Sequence, residues 1–265
     1  MQNVPLLTDR SALIRNRHRA SDGFLRDIAR DELLDRLSLV NREFKSPLIV
    51  GPAPPIVPNA KQIEDSETLD VTTNSNDLAI HFMALHWAND PVGQIIQSAR
   101  ALQPDGLFQA VCLGGQTLNE LRICLAQAES EVTGGLSPRI APMGEIRDLG
   151  ALLQRAGLAL PVADNITIRT SYQDAFHLMH DLRKFGETNA LNARLRHPTK
   201  RAIFDRCNQI YAETFAEGSK IIATFEFLFL SGWAPSADQP KPLRPGSATS
   251  RLADALKTTE KPLRD

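Results

Sequence analysis

Asp77-Leu78-Ala79-Ile80-His81-Phe82-Met83-Ala84-Leu85-His86-Trp87-Ala88-Asn89-Asp90-Pro91 opens the stretch that decides the fold, and Gln103-Pro104-Asp105-Gly106-Leu107-Phe108-Gln109-Ala110-Val111-Cys112-Leu113 closes it. Asp77 to Met83 is a near-continuous apolar run, the pattern of a strand covered on both faces. Asp90-Pro91 is a favourable helix start, because proline has no N–H to lose at the first helical position. Val92, Ile95, Ile96, Ala99 and Leu102 follow at helical spacing, and Pro104-Asp105-Gly106 turns the chain into the next strand, Leu107 to Leu113. Strand, helix and strand within about forty residues form the unit of a parallel sheet with helices on its faces. The expected class is therefore α/β.

Upstream, Pro47-Leu48-Ile49-Val50-Gly51 reads as another short buried strand, and Pro52, Pro54, Pro55 and Pro58 forbid a regular helix after it. Phe24, Leu25, Ile28, Leu33, Leu34, Leu37 and Val40 recur at helical spacing, so Ser21 to Phe44 should hold one or two amphipathic helices started by Ser21 or Asp22. Downstream, Thr117 and Glu120 have the spacing of a capping box opening a helix through Leu118, Leu121, Leu125 and Ala128. A helix over Met143 to Ala156 stopped by Gly157, a strand around Ile166 and Ile168, helices over Asp174 to Lys184 and Thr199 to Phe215, and a last strand, Ile221 to Leu230, are expected next. From Pro235, Pro240, Pro242, Pro245 and Gly246 punctuate a polar tail. The chain thus divides into an N-terminal basic arm with helices (1–45), a central domain (46–234) and a proline-rich C-terminal tail (235–265).

Over 265 residues, 30 Lys and Arg balance 31 Asp and Glu, and a formal charge of -1 supplies no global field to draw in nucleic acid or an anionic membrane. The cluster Arg10, Arg15, Arg17, His18 and Arg19 lacks the interleaved aromatics of a nucleic-acid groove and reads as a solvated or partner-facing arm. The longest apolar stretch, Ile221 to Leu230, contains Glu226 and is about half the roughly 20 residues that a membrane helix needs, so no transmembrane segment is expected. Cys112, Cys124 and Cys207 are scattered in apolar surroundings, as in a reduced compartment with neither a disulfide framework nor a zinc ribbon. His177 and His180 share a helical face beside Asp181, but nothing completes a coordination set, and no metal is expected.

Taken together, Leu85-His86-Trp87, Asn89-Asp90, Pro104-Asp105-Gly106, Gly114-Gly115-Gln116-Thr117-Leu118 and Glu120-Leu121-Arg122 resemble one branch of the class I S-adenosylmethionine methyltransferase superfamily. That branch includes the respiratory complex I assembly factor 5 family, the better match, and the malonyl-acyl-carrier-protein methyltransferases of biotin synthesis. The likeness continues through Gly134-Gly135, Ser137-Pro138, Asp148-Leu149-Gly150, Arg155-Ala156-Gly157, Asp181-Leu182, Gly186-Glu187 and Asn189-Ala190. It implies a three-layer, Rossmann-like methyltransferase sheet, mostly parallel with an antiparallel last strand. It also implies S-adenosylmethionine as cofactor and a protein substrate or respiratory subunit as partner. Asp9-Arg10 through Arg19 resembles the basic opening of bacterial members, which implies a bacterial cytoplasmic protein and argues against a cleaved transit peptide.

The same resemblance exposes a departure. Family members end the first strand in a D-x-G-x-G-x-G loop, where small residues let the backbone approach the cofactor, and carry an acid after the second strand for the ribose hydroxyls. Here Gly51 is followed by Pro52-Ala53-Pro54-Pro55, which offers neither the N–H groups nor the space. Glu64 to Asp70 resembles the later acidic loop near the adenine, which leaves only thirteen residues between Gly51 and Asp65 and no ribose carboxylate. The sheet should therefore be shortened by loss of the second-strand region, and the cofactor site degenerate.

The residual cofactor pocket is expected at Gly51, Asp65, Leu85, His86 and Trp87. On the substrate side the candidates are Gly114 and Gly115 through free N–H groups, Arg122 toward an acidic substrate, and Tyr172 on a lid of late helices. Plainer roles stand beside these: Trp87 as a cover for the core, and Tyr172 as a buried ring making one hydrogen bond. His86 has the chemistry of an acid or base, yet no neighbouring carboxylate in the sequence orients it, and no catalytic residue is assigned. Two functions follow: a non-classical or non-catalytic factor in assembly or modification of a respiratory protein, or an active S-adenosylmethionine-dependent methyltransferase. An open pocket joining Gly51, Asp65 and Leu85 to Trp87 would favour the enzyme, and filling by the prolines or Phe82 would favour the binding factor.

Overall fold

The computed structural model describes residues 6–21, 23–239, 252–255 and 257–258. In chain order the elements are α1 (Arg10–His18), α2 (Phe24–Ser38), β1 (Pro47–Val50), β2 (Lys61–Ile63), β3 (Asn76–Phe82), a single 3-10 turn (Leu85–Trp87), α3 (Pro91–Ala101), β4 (Leu102–Leu113), α4 (Asn119–Thr133), α5 (Ile146–Arg155), β5 (Ala159–Tyr172), α6 (Ala175–Lys184), α7 (Arg201–Thr214), β6 (Ala216–Glu217) and β7 (Lys220–Trp233). They belong to a unit ending at Pro235; a second unit, Ser236–Asp265, contains the short helix α8 (Leu252–Ala255). Pro240, Pro242, Pro245 and Gly246 lie outside the described residues. No helix among the described residues is long and apolar enough to cross a membrane.

The strands run in the order β2-β1-β3-β4-β7-β5, with β6 paired to β7. β2, β1, β3 and β4 are mutually parallel, and β7 is antiparallel to both β4 and β5. Alternation explains why the strand sequences are apolar throughout. Ile49, Ile80, Val111, Phe225 and Phe227 point to one face, where α2, α4, α6 and α7 pack, while Leu48, Val50, Ala79, Phe108, Cys112 and Leu228 meet α3 and α5 on the other. This is the expected three-layer α/β sandwich with an antiparallel last strand. The shortened region is equally clear: residues 51–60 contain no helix, and β2 is three residues long. Parallel neighbours normally require a crossover helix.

Three local expectations change. The basic arm is a helix, α1, because Asp9 caps its start by accepting from the Ala12 N–H at 3.0 Å, and Ala12 and Leu13 bury against Trp87, Ala141, Ala190 and Leu191. α2 begins at Phe24 after Gly23, with no side-chain cap, and the Ser21 N–H is bonded to the Lys184 carbonyl instead. Thr117 and Glu120 do not form a capping box. α4 is preceded by Leu118 in the left-handed region (φ 57°) with no side-chain cap. Thr117 Oγ1 exchanges hydrogen bonds with the Glu226 backbone at 3.0 and 3.1 Å, and Glu120 accepts from Thr224 N–H at 3.2 Å and Oγ1 at 2.5 Å, so both side chains clip α4 to β7.

Candidate functional site

In open parallel sheets the ligand crevice lies beyond the carboxyl ends of the strands. At the end of β1, Gly51 has φ +105°, and a Cβ there would lie 2.5 Å from the Phe82 carbonyl oxygen, so the position accepts only glycine. Gln62 Nε2 donates to the carbonyls of Gly51 (2.9 Å) and Ala53 (3.1 Å) and holds the proline loop against β2. Beyond β2, Asp65 is buried and doubly paired: Arg17 Nη1 lies 2.6 Å from Oδ1 and Arg10 Nη1 3.1 Å from Oδ2. Burial by itself would raise the Asp65 pKa, but the two guanidiniums outweigh it and hold the carboxyl below the usual carboxylate range. Arg10 also donates to the Asp65 carbonyl (2.7 Å) and Arg17 to that of Met83 (3.4 Å), a residue with φ +47° at the exit of β3.

Gln94 supports this corner from α3, donating to the carbonyls of Asp65 (3.0 Å) and Ser66 (3.1 Å) while its Oε1 lies 2.9 Å from His81 Nε2. Complete burial lowers the His81 pKa to about 4, so its ring is neutral near pH 7. A cavity of about 350 Å³ remains here, walled by Arg10, Ile14, Arg17, Gly51, Pro52 and Asp65 among others.

Trp87 lines a different cavity, about 310 Å³, with Leu113, Leu118, Leu121, Met143 and Met179 among its apolar walls. Glu187 also lines it. Glu187 Oε2 accepts from Trp87 Nε1 at 2.7 Å and lies 3.1 Å from His86 Nε2, whereas Oε1 takes no hydrogen bond from the described residues. Burial would raise the Glu187 pKa, but His86, the indole N–H and the Arg17 charge together lower it, leaving an ionised carboxylate beside a hollow whose apolar walls are joined by Arg139, Arg183 and Arg194. The carboxylate that orients His86 is thus Glu187, 101 residues away. The main chain completes the ring's setting, with the Leu113 N–H 3.5 Å from Nδ1.

The cofactor candidates are therefore divided. Gly51 and Asp65 share one cavity, Trp87 borders the other, and Leu85 and His86 are buried. Phe82 is fully buried in the core, and only its carbonyl approaches Gly51. On the substrate side, the free N–H groups expected at Gly114 and Gly115 are both taken, by the carbonyls of Glu226 (2.8 Å) and Gly144 (3.1 Å). The chain supplies its own anion at that turn, since the Glu226 carboxylate accepts from Gln116 N–H at 2.9 Å and Asn165 Nδ2 at 2.6 Å. Arg122 donates to the Ala141 carbonyl at 3.3 Å, and neither it nor Tyr172 lines either cavity. The Tyr172 ring is buried without the expected hydrogen bond: its hydroxyl has no partner among the described residues, and burial raises its pKa. No group of three or more His, Cys, Asp or Glu among the described residues is placed to hold a metal. Arg10, Arg17 and Glu187 are the residues that local reading did not assign to a site. Their signal was present as a basic cluster and as the Gly186-Glu187 likeness, but their partners lie 48 to 101 residues away.

No family model matches the chain. Sequence comparison finds the mitochondrial arginine-hydroxylase NDUFAF5 of zebrafish (Danio rerio), 36% identical over 203 residues, covering 76% of this chain and 63% of that protein. The human (Homo sapiens) protein of the same name is 36% identical over 196 residues, covering 73% of this chain and 56% of its own length. A malonyl-[acyl-carrier protein] O-methyltransferase of Methylovorus sp. is 32% identical over 173 residues, 65% of this chain and 56% of that enzyme. In each case the match spans less than two thirds of the relative's own length. These sequence relationships, with a parallel sheet closed by an antiparallel β7, support the class I S-adenosylmethionine methyltransferase superfamily for this chain.

Proposed function

We propose that this chain is a methyltransferase-fold factor with a degenerate S-adenosylmethionine site, acting by binding a protein partner and receiving one of its cationic side chains in the Glu187 cavity. The observation that carries the reading is the pairing of Asp65 with Arg10 and Arg17. Both carboxylate oxygens at the cofactor end are already engaged, and the loop after β1 runs into Pro52, Pro54 and Pro55 rather than presenting a row of N–H groups. A charge-assisted hydrogen bond contributes roughly 1.5–3 kcal/mol, about ten- to more than hundredfold in affinity, so loss of several such contacts removes useful binding.

The opposite cavity keeps what a cation needs. Glu187 is ionised with Oε1 open, and the apolar walls suit the methylenes of an arginine side chain whose guanidinium reaches that oxygen. The arginine-hydroxylase relatives support arginine as the residue received, and the resemblance to respiratory complex I assembly factors points to a respiratory subunit as its bearer. The likeness of Asp9 to Arg19 to bacterial members supports the bacterial cytoplasm as the site of action. No chemical step is assigned to His86, which on this reading holds Glu187 in place.

Isothermal titration of the purified protein with S-adenosylmethionine and with S-adenosylhomocysteine tests the first half. The expected result is no saturable heat. Saturable binding in the micromolar range would overturn it and restore the second reading, an active S-adenosylmethionine-dependent methyltransferase. That reading is favoured by the cavity of about 350 Å³ beside Gly51 and by the malonyl-[acyl-carrier protein] methyltransferase relatives.

A further inference from the structure

One edge of the Glu187 cavity carries a run of cations. Arg194-Leu195-Arg196-His197-Pro198-Thr199-Lys200-Arg201 contains no acid, and Arg194, Leu195 and Thr199 line the cavity, as does Arg183 from α6. Two carboxylates partly offset these cations: Asp9 accepts from Arg194 (3.0 Å) and Arg196 (2.9 Å), and Asp205 lies 3.6 Å from Arg201. Arg183 and Lys200 are exposed, and neither has a carboxylate within ion-pair distance among the described residues. Leu195, 42% exposed, adds an apolar step at the same edge. A chain of formal charge -1 thus concentrates uncompensated positive charge at the entrance to a cavity whose inner carboxylate selects a cation.

We infer that the segment 194–201, together with Arg183, is a docking surface for an acidic peptide, which reads carboxylates flanking the cationic residue that enters the cavity. This rests on the cation-binding reading of Glu187 and adds to it the chemistry of the partner. The argument is complementarity at two depths. A basic residue alone would be repelled by the rim before reaching Glu187, whereas acidic neighbours are attracted to the rim and deliver it. The chain's own C-terminal segment is a poor occupant, since residues 236–265 carry six Lys and Arg against four Asp and Glu.

The test uses the full chain and short fluorescent peptides read by anisotropy: a central arginine flanked by aspartates, the same peptide flanked by asparagines, and the aspartate peptide with glutamine at its centre. The aspartate-flanked arginine peptide should bind about tenfold more tightly than the asparagine-flanked one, as two or three exposed ion pairs provide, and the advantage should shrink as salt is raised. The double variant Arg183→Gln, Lys200→Gln, which disturbs no pair inside the fold, should abolish most of that advantage, weakening the aspartate-flanked peptide and relieving the repulsion that the asparagine-flanked one meets at the rim; an advantage that survives the double variant overturns the docking surface. Equal binding of the two arginine peptides to the parent protein overturns the docking surface and leaves the Glu187 reading intact. Strong binding of the glutamine-centred peptide does the reverse. Failure of every peptide to bind, or binding to anionic phosphatidylserine vesicles without preference among the peptides, overturns the docking surface as an acidic-peptide site.

Discussion

Two cavities of similar size, about 350 and 310 Å³, are lined one by Asp65 and the other by Glu187, and the two carboxylates are engaged differently. Asp65 in the first is saturated by two arginines from α1, while Glu187 in the second is fixed through one oxygen, and the other takes no hydrogen bond from the described residues. The difference lies in the donors. On the proposed reading, guanidiniums that pair both oxygens make Asp65 part of the scaffold, whereas an indole and an imidazole on one oxygen orient Glu187 and leave the other for a ligand. Burial alone does not distinguish a structural carboxylate from a receptive one; the number of oxygens left over does.

Breaking each carboxylate separately should give opposite signatures. Asp65→Asn leaves Arg10 and Arg17 facing a neutral group in a largely buried corner and should cost about 3 kcal/mol of unfolding free energy by urea titration, with peptide binding unchanged. A loss under about 1 kcal/mol would show that the pairing is not what holds α1, and the contrast would fail. Gly51→Ala should cost about 2 kcal/mol by the same titration, since a left-handed backbone and a close carbonyl both oppose the new methyl. Glu187→Gln keeps an acceptor for Trp87, so the expected stability change is small, while affinity for an arginine-centred peptide should fall by about 2 kcal/mol. Unchanged affinity would remove the functional half of the comparison.

The smallest effect is in acid. The Ala12 N–H first, then Arg194 and Arg196, lower the Asp9 pKa from 3.8 to about 2. A carboxylate whose folded pKa is depressed stabilises the fold fully above its unfolded pKa and loses that contribution as pH falls through the folded one. Urea midpoints should therefore decline between pH 4 and 2, and Asp9→Asn should lose less over that interval than the parent protein. Parallel declines would mean that Asp9 does not secure α1 to the 190s segment.

The central sheet was legible because its signals are local. Asp90-Pro91 starts α3 as expected, with Asp90 accepting from the Gly93 N–H, and the apolar run before Leu85 is β3. α1 was read as a solvated arm because Arg10, Arg15, Arg17 and Arg19 mask a short apolar stripe, Ala12 and Leu13, that makes sense only with Trp87 and Leu191 beside it. Thr117 and Glu120 fit a local cap equally well on spacing, but β7, more than a hundred residues later, offered better partners. The cofactor-side departure was visible in Pro52 to Pro55, since proline removes donors wherever the chain goes. What took the donors' place was not, because ion pairs spanning 48 and 55 residues have no sequence period.

The pairing of Asp9 with Arg194 and Arg196 has a consequence for the order in which the molecule is made. These contacts span 185 and 187 residues, and α1 leaves the ribosome before every residue that anchors it. Closing so long a loop carries an entropic penalty that only a nearly complete sheet can offset. α1 is thus synthesised early and fixed late, and pulsed hydrogen exchange during refolding should protect its amides after those of β3 and β4.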